Sequence, residues 1–101
     1  MYEIMDITNS PLAKKKFRVY LNNNSYYDFG LKNSNTFVDH KDKTIKENYH
    51  LRHLASRTEN YLIKNLIPSP ALFSYYLLWG RYTNLYKNID YLNKLFNQRY
   101  R

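Results

Sequence analysis

The chain has no cysteine, two glycines and three prolines in 101 residues. The first absence removes disulfides, thiolate nucleophiles and cysteine-ligated zinc together, and suits a reducing compartment. With Gly30 and Gly80 alone, neither a glycine-rich phosphate loop nor a G-x-S-x-G nucleophile elbow can be written. Long hydrophobic runs are missing too. The most apolar window, 61–80, is broken by Lys64, Asn65, Pro68 and Pro70, and its clean stretch from Ala71 to Trp79 is too short to span a bilayer. The opening MYEIMDITNS carries Glu3 and Asp6 where a secretory leader would be basic, so none is expected. Repeats and low-complexity linkers are also lacking, and the length suits one domain over 1–101.

Acidic residues are scarce: eight Asp and Glu face sixteen Lys and Arg, for a formal charge of +8 that directs attention to polyanions. Lys, Asn, Tyr and Ile, all written in AT-rich codons, dominate, so base composition feeds the basic and aromatic excess. Twelve tyrosines exceed what one small core must hold. Tyr20, Tyr26 and Tyr27 could stack unpaired bases or fill protein interfaces.

The local signals predict an α+β fold, an N-terminal β-hairpin or three-stranded antiparallel sheet packed against three α-helices. Lys14-Lys15-Lys16-Phe17-Arg18-Val19-Tyr20-Leu21 starts as a basic clamp and becomes an alternating strand. Asn22–Ser25 reads as a turn and Tyr26–Gly30 as the returning strand, with Thr36–His40 as a possible third. The sheet region is thus expected over 14–40 and the helical region over 41–98. A first helix is predicted from Lys41 to Arg57, with Asp39 or Asp42 at its start. Ser69 as N-cap, Pro70 in the first turn and Gly80 just past the end frame a short, wholly apolar second helix, with Trp79 as a core anchor. The third begins at a Thr83 cap and presents Leu85, Ile89, Leu92 and Phe96 on one face.

The stretch DHKDKTIKENYHLRH, 39–53, concentrates the chemistry. On a helix, Lys43, Lys46, His50, His53 and Arg57 share a stripe, with Ile45, Leu51 and Ala55 toward the other side. Such a stripe could follow a row of phosphates or be the solvated face of a lysine-rich helix. His50 and His53 stand one turn apart, but no further ligand completes a metal shell, so no metal or other cofactor is expected. His40 with Asp39 or Asp42 could be an oriented base, yet no nucleophile accompanies it; the simpler reading makes Asp42 a helix cap and lets His40 tie the strand end to the hairpin.

Lys15-x-Phe17-x-Val19, Asp28-Phe29-Gly30, His40-Lys41-Asp42, Tyr49-x-x-Arg52-His53, Leu77-Leu78-Trp79, Thr83-x-Leu85 and Ile89-x-x-Leu92 follow one another in an order that carries a likeness. The set resembles a family of small basic proteins of unknown function from nucleocytoplasmic large DNA viruses, including the mimivirus and chlorella virus groups. It departs from that pattern at Gly80-Arg81-Tyr82-Thr83, where the family has Asn-Lys-Pro-Thr, and at Tyr61, where the family has Trp. The resemblance implies a viral source, a setting in the virion or in the host cytoplasm or nucleus, and no established activity.

The expected function is therefore non-enzymatic: nucleic-acid binding by phosphate contacts, largely independent of sequence. The expected contacts are Lys14, Lys15, Lys16, Arg18, Lys43, Lys46, His50, Arg52, His53 and Arg57, with Arg99 and Arg101 in the tail. The alternative is a minor capsid or cement protein whose basic groups meet acidic coat proteins. His40, Asp42 and Trp79 are expected to serve the fold, and no membrane or small-molecule substrate is expected.

Overall fold

The computed structural model describes residues 2–99, so Arg101 lies outside the described residues. Three antiparallel strands, β1 (Ile4–Asn9), β2 (Lys15–Leu21) and β3 (Tyr26–Leu31), form a sheet in the order β1-β2-β3. Alternation sets the inner face of the central strand: Val19 and Leu21 are buried, while Tyr20 between them is exposed. Opposite them, Phe17 pairs with Phe29 and Val19 with Tyr27. The Asn-rich turn behaves as expected. Asn24 takes the left-handed conformation at φ 67°, and the Leu21 N–H donates to the Ser25 carbonyl at 2.9 Å.

The third strand is not the expected one. It comes from the N-terminal residues, whereas Phe37–His40 forms a helical turn, α1. The cause lies in Thr36-x-x-Asp39: the Asp39 carboxylate accepts from the Thr36 backbone N–H at 2.8 Å and from its hydroxyl at 3.0 Å, a capping arrangement that strand propensity does not report. Lys41, left-handed at φ 60°, ends that turn, and Asp42 caps α2 (Lys43–Ala55) by accepting from the Thr44 and Ile45 N–H groups. The first helix is also shorter than expected. Extended backbone at Ser56 interrupts it, and the Ser56 hydroxyl caps a separate α3 (Arg57–Lys64).

Ser69 caps α4 (Pro70–Phe73) by accepting from the Leu72 N–H, as its position before Pro70 suggests. The chain then widens into a π-helical turn, Ser74–Leu78, before Trp79 and Gly80. The last helix, α5 (Leu85–Arg99), starts after Asn84, whose side chain accepts from the Lys87 N–H; the cap is Asn84 and not Thr83. Ile89, Leu92 and Phe96 of α5 are buried with Leu72, Phe73 and Leu77. Phe73 meets the sheet at Tyr27 and Phe29, with ring centroids 5.5 and 6.0 Å apart. The apolar α4 segment thus lies between sheet and α5, each of its sealed Leu and Phe side chains contributing about 1.5–3 kcal/mol of transfer free energy.

Candidate functional site

α2 is turned opposite to the simplest reading of its residues. Ile45 and Leu51 are 46% and 68% exposed, while Lys46, His50 and His53 face the protein. The reason is electrostatic. The π turn leaves the carbonyls of Trp79 and Gly80 at the C-terminal end of the α4 segment, where a helix carries partial negative charge. His50 Nε2–H donates to the Trp79 carbonyl, and the Lys46 ammonium donates to that of Gly80 at 3.3 Å while lying 4.4 Å from the Phe37 ring centre. Burial holds the His50 imidazole below its ordinary pKa, with neighbouring Lys46 and His53 acting in the same direction. His53 Nδ1–H donates to the Glu59 carboxylate at the start of α3. Of the expected stripe, only Lys43 and Arg57 remain exposed, so it makes no continuous phosphate track.

The basic clamp divides similarly. Lys16 donates to the Ser34 carbonyl at 2.8 Å and pairs with Asp39 at 2.9 Å. There burial raises the Asp39 pKa, but hydrogen bonds from the Thr36 backbone and Lys16 outweigh it and leave the carboxyl below its usual range. Arg18 grips Asp28 through Nε and Nη2 at 2.9 and 3.0 Å and lies over the Tyr26 ring, 4.1 Å from its centre. This guanidinium, helped by the Ser10 hydroxyl at 2.7 Å, keeps the Asp28 carboxyl low. Lys16 and Arg18 thus hold the fold together, while Lys14 and Lys15 make no salt bridge among the described residues. Tyr20 and Tyr26 pair on the outer face of the sheet, whereas Tyr27 packs inward on Phe73.

What the structure assembles is a cleft of about 550 Å³ where the end of the sheet meets α2, α3 and α4. Lys15 enters from β2 and Arg52 from α2; neither takes part in a salt bridge among the described residues. Leu31, Ala71 and Leu78 supply apolar wall, and Ser34, Thr36 and Ser74 supply hydroxyls. An aromatic stack backs it. Tyr49 lies flat on Trp79, with centroids 4.2 Å apart and planes 9° apart, and meets His53 at 3.9 Å on the way to the cleft; His40 continues the row at 5.2 Å from Trp79. Burial, with the Glu59 charge, pushes the Tyr49 phenol up to about 12 against the opposing influence of Ser74 and Arg52, so it stays protonated.

Four expected site residues from three separate stretches, Lys15, Arg52 with His53, and Trp79, therefore come together. His40 serves the aromatic row, and its Nδ1 accepts from the Asp42 N–H; it does not tie a strand to the hairpin. Sequence reasoning missed Tyr49, Glu59 and Ser74. Only the spacing of Tyr49 from His53, one turn along α2, hinted at one of them. Among the described residues, no three His, Asp or Glu side chains gather where they could hold a metal ion, and no helix is long and apolar enough to cross a membrane.

A family model described as a family of unknown function (DUF5754) matches residues 5–53, just under half of the chain. That span covers α1, most of α2 and the sheet but for Ile4; it includes Lys15, Arg52 and His53 and stops short of Glu59, Ser74 and Trp79. No curated protein and no solved structure matches the chain.

Proposed function

We propose that the protein binds nucleic acid through phosphate contacts, largely without regard to sequence, with the cleft and its basic rim as the contact surface. The carrying observation is the meeting of Lys15 and Arg52, neither in a salt bridge among the described residues, in one cleft whose only described acid, Glu59, is already held by His53. Lys14 extends the rim: its carbonyl accepts from the Lys32 N–H, which brings a further pair of lysines to the same end of the hairpin. Ammonium and guanidinium groups outside salt bridges are available to displace the counterions condensed on a polyanion. The likeness to large-DNA-virus proteins, carried by sequence motifs alone, supports a virion or an infected cell as the setting and a role without catalysis.

The test is binding to labelled single- and double-stranded DNA and RNA across a salt series. Lys15→Glu/Arg52→Glu should lower affinity at least about tenfold and reduce the salt slope by about 2, as expected for two lost phosphate contacts. Lys87→Glu/Lys94→Glu on α5 changes the net charge equally without touching the cleft and should cost far less. Equal losses in both variants, or no wild-type binding at low salt, would remove the reading.

A second reading, assembly with acidic coat proteins, is favoured by Leu51 and by Tyr61, the latter 62% exposed on α3. Capture of such a protein abolished by Leu51→Lys, with nucleic-acid binding absent, would select it.

A further inference from the structure

Charge alone does not account for the form of the cleft. A phosphate backbone can be followed by lysines on an open surface, whereas here two cations stand at a recess walled by Leu31, Ala71 and Leu78. Its volume falls among small-molecule sites, roughly 300–1,000 Å³. A duplex cannot enter such a recess; one nucleotide can. We propose that the cleft takes a single unpaired nucleoside monophosphate unit, its phosphate against Lys15 and Arg52 and its base against the apolar wall.

The polar groups fit that occupant. Ser34 donates its hydroxyl hydrogen internally, to the Leu31 carbonyl, which leaves oxygen lone pairs to accept from a sugar hydroxyl or an exocyclic amine. Glu59 is tethered by one oxygen to His53, and its other oxygen can accept from a base edge. Pairing with His53 also weakens the repulsion that a lone carboxylate would exert on phosphate. Aromatic stacking plays a lesser part, because Trp79 and His53 already cover the two faces of Tyr49. The base is held by burial and edge contacts.

This inference deepens the nucleic-acid reading, and the occupant has two sources: an unpaired nucleotide within a strand, or a free nucleotide. Trp79 is the only tryptophan and lines the cleft, so its fluorescence reports occupancy directly. The full chain is titrated with the four nucleoside 5′-monophosphates, the parent nucleosides, inorganic phosphate, and single- and double-stranded oligonucleotides.

The monophosphates and single strands should give saturable changes in Trp79 emission. Nucleosides and inorganic phosphate should bind at least tenfold more weakly, and duplex should bind without that signal. Ala71→Phe, which fills the recess, should abolish the monophosphate response. Arg52→Gln, a change at an exposed position, should weaken it about tenfold with the thermal midpoint unchanged. Equal competition by inorganic phosphate, or a monophosphate response unchanged by Arg52→Gln, would overturn the proposal. Oligonucleotide binding with Trp79 silent toward every monophosphate would overturn it too, while sparing the broader nucleic-acid reading. Monophosphate binding without polymer binding would support the site and remove that reading.

Discussion

Asn88 shows how one amide can hold a bend. Its side chain is sealed from solvent, donates to the Leu77 and Tyr82 carbonyls at 3.0 and 2.8 Å, and accepts from the Tyr82 N–H at 2.8 Å. Asn88→Leu preserves volume but strands three backbone groups, so it should cost about 3 kcal/mol, measured by urea unfolding. His50 gives a second prediction at this scale. Burial lowers its folded pKa, so at acid pH the unfolded chain binds a proton that the folded chain resists. The His50 contribution is therefore full above the ordinary 6.5 and is lost as pH falls through that value toward the depressed folded one. Urea midpoints between pH 8 and 5 should decline on that limb, and His50→Gln should flatten it. Loss from Asp28 and Asp39 belongs to a separate, lower limb, below the ordinary 3.8.

Among the elements, the π turn decides most. It delivers Ser74, Leu78 and Trp79 to the cleft and leaves the carbonyls that orient α2. Gly80 closes it tightly: a Cβ there would stand 1.9 Å from the Tyr76 carbonyl oxygen. Gly80→Ala should therefore destabilise by about 3 kcal/mol, read as a lower thermal midpoint, and should reduce any Trp79-reported binding with it. The punctuation of this element was legible in the sequence, from Ser69 and Pro70 to Gly80, and so were the β2–β3 hairpin and the buried face of α5. The orientation of α2 was not. Periodicity tells which side chains share a face, and Lys46, His50 and His53 do share one; it does not tell that the inward partners are carbonyls, which prefer those groups to Ile45 and Leu51. β1 escaped because Ile4 is its only buried side chain, a weak pattern beside the clear alternation of β2. The cleft escaped because its cations come from β2 and α2, and no short motif spans that separation.

For the molecule as a whole, stability is unevenly spread. α2 has no fully buried residue, whereas α5 buries four. Native-state hydrogen exchange should find α2 amides exchanging at least about tenfold faster than those at the centre of α5, with β2 also slow. A ligand in the cleft should slow the α2 amides selectively. The edge of β1 is closed in an unusual way. Asn93 on α5 accepts from the Ile4 N–H at 2.8 Å and donates to the Ile4 carbonyl at 3.2 Å, so an amide side chain stands in for a neighbouring strand. That contact spans nearly the whole sequence. During synthesis the first strand leaves the ribosome long before the residue that covers its edge, and until α5 arrives the nascent sheet carries an open seam on which a second nascent chain can pair.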